Sequence, residues 1–360
     1  MLHLVEVLLV SKRYSPEASS GSVKSGRIAA MTHHVEGSSR NYKVLISNDD
    51  GVSAPGLRAL VAELARDEHP IDLYVCGPFG ERSGQSNAIT IGGRGPIHAF
   101  QIPSIEGVID SYAVDGTPAD SVIIACRTDL VVEDPINTFD LVVSGINRGD
   151  NSGIHVVYSG TCGAAREANH HGFPSIALSL DDHFARSEAS YTRSAKIAAA
   201  IVRETLESID EHKEVFCRTL INVNVPGGEA FEGLHMCRQG RHSSTSDLIE
   251  MNVDSDFHER NAHKDTEICL NGVRDKKALR AFKHANFRHV DDQTRHTDFA
   301  LLSQNWATVT ILDSLMDVPL RPEHSVARYD EKHVSLVRGI VKRAGERLQC
   351  SALDDKGAAL

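Results

Sequence analysis

The chain has 360 residues, of which 41% are hydrophobic, and a formal net charge of −11 at pH 7. The length allows one large α/β domain or two ordinary ones, and the negative charge argues against a protein that binds nucleic acid by neutralising its phosphates. No apolar run approaches the ~20 residues of a membrane span, and the seven scattered cysteines lack a C-x-x-C pair, which argues against a disulfide framework or a zinc finger.

Residues 1–41 are predicted to be a disordered or targeting extension. The apolar stretch 2–10 is a poor signal peptide, because Glu6 interrupts it and no basic region precedes it. Residues 14–41 are rich in serine, glycine and charge, a composition typical of disorder. We therefore predict a cytoplasmic location, while organelle targeting and a chain start near Met31 stay open.

From residue 43 onward, short apolar runs alternate with amphipathic stretches, which predicts an α/β fold with a doubly wound, mostly parallel sheet. The domain is expected to span 42–348, with a polar excursion at 240–296 that carries short strands or a hairpin, and a flexible tail at 349–360. Strands are predicted at 43–47, 71–76, 139–143, 175–180, 220–225 and 306–312, and helices at 55–66, 116–126, 162–171, 190–209 and 330–348.

Polar side chains follow three of the predicted strands. Asp49 and Asp50 come after the first strand, Ser83 after the second, and Asn147 after the strand at 139–143. Because parallel strands end at the same edge of a sheet, these side chains are expected to converge. Two adjacent carboxylates are costly to ionise without a cation between them. Carboxylate, hydroxyl and amide oxygens together favour Mg²⁺ or Mn²⁺ over zinc.

The segment Ser159-Gly160-Thr161 precedes a predicted helix, and a helix N-terminus is a natural seat for phosphate. A metal beside such a seat indicates phosphoryl chemistry. Each piece also has a structural explanation: the aspartates as an acidic turn, Ser83 and Asn147 as turn residues, and the Ser-Gly-Thr segment as a helix cap. Arg82 and Arg148 could contact a phosphate or could simply be solvated, and the sequence leaves both roles open.

Three common enzyme classes are not indicated by the sequence. No G-x-G-x-x-G string follows the first strand, so a nicotinamide oxidoreductase is disfavoured. No P-loop string and no G-x-S-x-G elbow occur, which argues against a P-loop NTPase and an α/β-hydrolase.

Several motifs together resemble the SurE family of metal-dependent survival-protein phosphatases, which are nucleoside monophosphatases. The resemblance is close over about 43–226 and weaker beyond. The matching strings are ISNDDGV at 46–52, RSGQSN at 82–87, GTPAD at 116–120, VSGINRG at 143–149, YSGT at 158–161, AARE at 164–167, GFP at 172–174 and INVNVP at 221–226.

The resemblance implies a Rossmann-like fold with a C-terminal hairpin or swapped-helix extension, assembled as a homodimer or homotetramer. It implies hydrolysis of nucleoside 5′- and 3′-monophosphates, with polyphosphate as a further substrate. Asp50 and Asp49 are then catalytic. By the same resemblance, one Mg²⁺ or Mn²⁺ ion per subunit is held by Asp49, Asp50, Ser83 and Asn147, and phosphate lies near Gly84, Asn87, Ser159, Gly160 and Thr161.

The chain departs from the family pattern at Phe79-Gly80, where family members usually carry an aspartate soon after the proline. The segment 240–296 also matches poorly, which leaves the assembly and the base preference open. Two alternative functions remain: an exopolyphosphatase, and a non-catalytic protein that binds nucleotides or supports assembly.

Overall fold

The computed structural model describes residues 41–66, 71–91, 95–133, 139–217, 219–241, 243–251, 281–290, 296–312 and 331–360. The predicted N-terminal extension and the middle of the 240–296 excursion lie outside these residues, apart from residue 41. None of the helices in the described ranges is long and apolar enough to cross a membrane.

The centre of the fold is a ten-stranded sheet with the order β12-β8-β11-β7-β6-β5-β1-β2-β4-β3, and β9 and β10 form a separate antiparallel pair. The strands are β1 (Tyr42–Ser47), β2 (Ile71–Pro78), β3 (Ala99–Gln101), β4 (Val108–Val114), β5 (Leu141–Arg148), β6 (Ser175–Asp181), β7 (Leu220–Pro226), β8 (Gly233–Cys237), β9 (Ser243–Met251), β10 (Ala281–Val290), β11 (Trp306–Leu312) and β12 (Ala352–Leu353).

Helices cover both faces of the sheet. They are α1 (Pro55–Ala65), α2 (Pro118–Arg127), α3 (His155–Tyr158), α4 (Gly160–His170), α5 (Thr192–Phe216), α6 (Asp298–Leu302) and α7 (Glu331–Leu348), with a 3₁₀ turn at Glu188–Tyr191. Residues of α1, α5 and α7 share one apolar cluster with Val44 and Ile46, whereas α2 and α4 pack around Leu45. Alternate residues of β1 thus face opposite layers, and both are buried.

The predicted doubly wound α/β fold is confirmed. From β4 through β2, β1, β5 and β6 to β7, every neighbouring pair is parallel, and the antiparallel pairs in this sheet are β3 with β4 and β7 with β11. The chain passes from β1 to β2 and β4 on one side and later returns to β5 on the other side of β1. The strand order therefore reverses its direction between β1 and β5. Open α/β sheets bind ligands at such a switch point.

Most predicted elements have the expected positions, and the differences have local causes. The predicted cap of α2 is present: Thr117 accepts a hydrogen bond from the Asp120 amide, and Pro118 occupies the first turn. The strand predicted at 139–143 runs on as β5 to Arg148 through an irregular register between Ser144 and Asn147. Asn147 therefore lies within the strand and not after it.

The last residues do not form the flexible tail that the sequence predicts. Ala352 pairs in parallel with Leu234 of β8, and the amide of Leu360 donates to the carbonyl of Ala352 at 3.0 Å. This strand has two residues, so no periodic pattern marks it in the sequence. In the described parts of the excursion, β9 and β10 pair with each other, in line with the expected hairpin.

Candidate active site

A cavity of about 650 Å³ opens where β1 and β5 diverge. It brings together five predicted site residues: Asp49, Ser83, Gly84, Asn147 and Ser159. The other predicted residues, Asp50, Asn87, Gly160 and Thr161, are not part of its lining and contact the lining residues or the elements behind them. Glu81, Arg148, Gly149, Asp150, Asn151, His155, Tyr158, His183 and Arg186 complete the wall.

Asp49 is buried between the end of β1 and the start of α4, with 2% of its surface exposed. Its Oδ1 accepts a hydrogen bond from the Thr161 hydroxyl, and the backbone amides of Thr161 and Gly160 also point to the carboxylate. Burial raises the pKa of Asp49, and these hydrogen bonds oppose the rise. The carboxylate thus lies at the positive end of the α4 dipole.

Gly160 makes this close approach possible. A Cβ atom at Gly160 would lie 2.8 Å from Cβ and 2.9 Å from Oδ2 of Asp49. Any other residue would therefore force the helix and the carboxylate apart.

Asp50 is less buried than Asp49 and is anchored to β5. The Arg148 amide donates to Asp50 Oδ2 at 3.0 Å. Burial and the neighbouring charge of Asp49 raise the pKa of Asp50 to about 6, although the Arg148 amide favours the ionised form. The two aspartates therefore repel each other in the absence of a cation.

Asn147 is oriented by its own chain. Its Nδ2 donates to the Gly149 carbonyl at 2.7 Å, which leaves Oδ1 as the acceptor atom of the amide. The irregular register of β5 before this residue turns the strand locally. As a result, an amide oxygen lies in the same cavity wall as Asp49.

Ser83 and Gly84 form the opposite, exposed wall. Ser83 Oγ donates to Glu81 Oε1 at 3.3 Å and, among the described residues, forms no hydrogen bond to either aspartate. The two arginines that the sequence left open both form ion pairs: Arg82 with Asp115 at 3.3 Å, and Arg148 with Glu81 at 3.0 Å. These are surface pairs, so their stabilising effect is small.

Ser159 and Asn87 hold the loop and the helix together. The Ser159 hydroxyl accepts from the Cys162 amide at 3.0 Å, so it caps α4 as the structural explanation anticipates. Asn87 Nδ2 donates to Glu167 Oε2 at 2.8 Å, while its buried Oδ1 has no hydrogen-bond partner among the described residues.

The loop that follows β5 also lines the cavity, although its residues were not predicted from the sequence. Asp150 accepts from the Ser152 amide at 3.1 Å and from the Ser152 hydroxyl, and its Oδ2 lies 3.3 Å from His155 Nδ1. Burial opposes ionisation of Asp150, but the hydrogen bonds from His155 and Ser152 outweigh it and lower the pKa to about 2. The sequence signal that could have indicated this pair is an aspartate and a histidine five residues apart, just before the YSGT motif.

A distant segment fixes the same loop. Asp298 is fully buried at the start of α6, where it accepts from the Gly153 amide at 2.9 Å and from the Gly240 amide at 2.8 Å. Asn151 is held in addition by Asn224 of β7, whose Oδ1 accepts from the Asn151 amide at 2.7 Å. The loop is therefore supported from the sheet and from the C-terminal part of the domain.

A divalent cation suits the donor set at the end of β1. Asp49, Asp50 and Asn147 offer carboxylate and amide oxygens, the ligands that Mg²⁺ and Mn²⁺ prefer. A cation would also relieve the repulsion that raises the pKa of Asp50. Across the described ranges, no three His, Cys, Asp or Glu side chains are grouped to hold a metal, and the predicted set contains only two carboxylates. Ser83 would have to leave Glu81 to join it.

Comparisons with known proteins identify relatives over most of the domain. A family model described as "Survival protein SurE" matches residues 44–246. A 5′-nucleotidase SurE of Clostridium beijerinckii is 32% identical over 271 residues, which cover 72% of this chain and 96% of that protein. A 5′-nucleotidase SurE of Desulforudis audaxviator is 38% identical over 216 residues, 59% of this chain and 76% of that protein.

A solved structure agrees with these matches. The SurE protein from Aquifex aeolicus superposes with a TM-score of 0.54 at 26% sequence identity, and the match covers 76% of this chain and 94% of that one.

Proposed function

The chain belongs to the SurE family, and we propose that it is a divalent-metal-dependent phosphomonoesterase. Its substrates are nucleoside 5′-monophosphates, and 3′-monophosphates as well, which it hydrolyses to nucleoside and phosphate. The observation that carries this proposal is the meeting of Asp49, Asp50 and Asn147 with the N-terminus of α4 where β1 and β5 diverge.

Asp49, Asp50 and Asn147 would hold one Mg²⁺ or Mn²⁺ ion, with Ser83 as the fourth protein ligand. When bound, such an ion polarises the phosphoryl group and lowers the pKa of a coordinated water. Thr161 orients Asp49 through its hydroxyl, and Gly160 allows the close approach.

The phosphate of the substrate would lie over the start of α4. Ser159 caps this helix and borders the cavity, and Gly84 lies in the facing wall. The positive end of the α4 dipole favours an anion at this position. The amides of Gly160 and Thr161 are directed to Asp49 and that of Cys162 to Ser159, so the dipole and the loop around Gly84 supply the attraction. The Asn87 side-chain amide donates to Glu167, and its remaining atom, the buried Oδ1, can only accept a hydrogen bond. A phosphate also accepts, so we assign Asn87 to the positioning of the loop.

Water attacks phosphorus in this proposal, and Asp50 accepts the proton. Asp50 suits this task better than Asp49, because the Thr161 hydroxyl holds Asp49 and its burial is nearly complete.

The test is phosphate release from a panel of nucleoside monophosphates with Mn²⁺ or Mg²⁺, with and without EDTA. Asp50→Asn should abolish release, whereas Asp72→Asn, at the amino end of β2 and hence at the opposite sheet edge, should leave it unchanged. Preference for long-chain polyphosphate over nucleotides would favour the exopolyphosphatase. Nucleotide binding without any release would favour the non-catalytic alternative.

We also propose that the chain assembles as a homodimer or homotetramer, as the family resemblance implies. Light scattering coupled to size-exclusion chromatography measures this directly. A monomer at micromolar concentration would contradict it.

A further inference from the structure

His155 is the one histidine of the cavity wall that is paired with a carboxylate among the described residues. It begins α3, and its Nδ1 lies 3.3 Å from Asp150 Oδ2. The His155 side chain is 19% exposed and that of Asp150 is 5% exposed, so the pair is largely shielded from solvent while the imidazole reaches the cavity. With Nδ1 directed to Asp150, Nε2 is the ring nitrogen on the opposite side.

The pair is held rigidly beside the proposed phosphate seat. Ser152 fixes Asp150 with its amide and its hydroxyl. The His155 carbonyl accepts from the Ser159 amide at 3.0 Å. The imidazole is thus attached one helical turn before the residue that caps α4, and a side chain so supported keeps its orientation.

The proposed reaction leaves one chemical requirement unmet. When the phosphorus–oxygen bond of a nucleoside monophosphate breaks, the ester oxygen departs as an alkoxide, a strong base that leaves slowly unless it is protonated. Asp50 acts on the attacking water and not on the leaving group. Arg148 and Arg186 line the cavity, but guanidinium groups do not give up protons in proteins.

We infer that His155 is the general acid that protonates the leaving nucleoside oxygen, and that Asp150 is the residue that positions it. This inference rests on the proposed function. The electron pair of the breaking phosphorus–oxygen bond passes to the ester oxygen, which takes the proton from His155 Nε2 and leaves as the nucleoside alcohol. The water oxygen forms the new bond to phosphorus and gives its proton to Asp50. Proton return through solvent from Asp50 to His155 completes the cycle.

The surroundings of His155 support the protonated state that this role needs. The hydrogen bond that His155 donates to Asp150 raises the pKa of His155, and burial lowers it. The charges of Asp150, Asp298 and Asp181 raise it further, so the net shift is upward. Arg148, Arg186, His183 and Glu81 also line the cavity. Because the folded-state pKa is raised, the acid form persists to higher pH than in a free histidine. Cleavage of nucleotides should then decline as the pH rises through that pKa.

The test compares two substrates that differ in their leaving group. A nucleoside 5′-monophosphate releases a strongly basic alkoxide, while p-nitrophenyl phosphate releases a stabilised phenolate that needs no proton. His155→Gln should lower kcat/KM for the nucleotide by about 10²–10³-fold and for p-nitrophenyl phosphate by less than about tenfold. His98→Gln, at an exposed histidine outside the cavity wall, is the matched control and should change neither.

Asp150→Asn is the second variant. It removes the charge that raises the pKa of His155, so the alkaline limb of the nucleotide pH profile should shift to lower pH. Equal losses on both substrates in His155→Gln, with an unmoved alkaline limb in Asp150→Asn, would overturn the inference and leave the phosphatase function intact. Absence of phosphate release from both substrates by the wild type would overturn the proposed function, and this inference with it.

Discussion

The carboxylates at the end of β1 and the carboxylate in the loop after β5 lie at the same sheet edge, but their pKa values shift in opposite directions. Asp49 and Asp50 are adjacent carboxylates, and burial raises the pKa of both. Asp150 is also buried, yet its pKa is lowered to about 2, because the hydrogen bonds from His155 and Ser152 outweigh the effect of burial. The first region places two carboxylates side by side and suits a metal ion, whereas the carboxylate of the second region is paired with His155 and suits proton transfer.

The largest expected effect is a loss of activity and of metal affinity that occurs in variants of the first region and not of the second. Asp49→Asn removes one of the two charges proposed to bind the ion, so activity should fall by about 10³-fold or more. The Mn²⁺ affinity of the variant, measured by isothermal titration calorimetry, should fall with it. Asp150→Asn should keep a Kd for Mn²⁺ within about twofold of the wild type, because its carboxylate belongs to the histidine pair. A joint loss of affinity in both variants would mean that the regions are one site.

A smaller effect is expected when a methyl group is added next to Asp49 in the first region alone. Gly160→Ala would place a Cβ atom 2.8 Å from Asp49 Cβ and push the carboxylate off the helix. We expect a loss of about 1–3 kcal/mol in stability and a fall of roughly 10–100-fold in kcat. The alkaline limb assigned to His155 should stay in place. Gly80→Ala, whose added Cβ meets no atom within 4 Å, is the control; equal effects at both glycines would contradict this explanation.

The smallest effect is a pH-dependent shift in melting temperature. The folded-state pKa of Asp50 is raised to about 6, so without metal the stability that its protonated form contributes is present at low pH and is lost as the pH rises through that value. A bound cation compensates for the charge of the ionised Asp50 carboxylate. Saturating Mn²⁺ should therefore raise Tm by roughly 2–5 °C at about pH 7.5 and by less at about pH 5. A larger rise at the lower pH would contradict the assignment.

The sequence predicts the first region well and the second poorly, for physical reasons. The apolar run Val44 to Ile46 marks a buried strand, so the residues directly after it were placed correctly at a sheet edge. Asn147 was expected after its strand, but β5 continues through an irregular register that periodicity cannot reveal.

The support of the second region depends on contacts between segments far apart in the chain. Asp298 lies 145 residues from Gly153, whose amide it binds. Asn224 binds Asn151 from a distance of 73 residues along the chain. Such pairs leave no local pattern, so a single sequence indicates the residues but not their meeting. The contact between Ser83 and Glu81 was equally hidden, because an exposed turn allows several rotamers.

The most direct test of the central claim is anomalous diffraction from crystals of the protein grown with Mn²⁺. We expect one strong manganese peak per subunit between the carboxylates of Asp49 and Asp50 and the amide oxygen of Asn147, and no such peak in Asp50→Asn. A manganese peak elsewhere, or an empty site in crystals of active enzyme with the ion present, would contradict it.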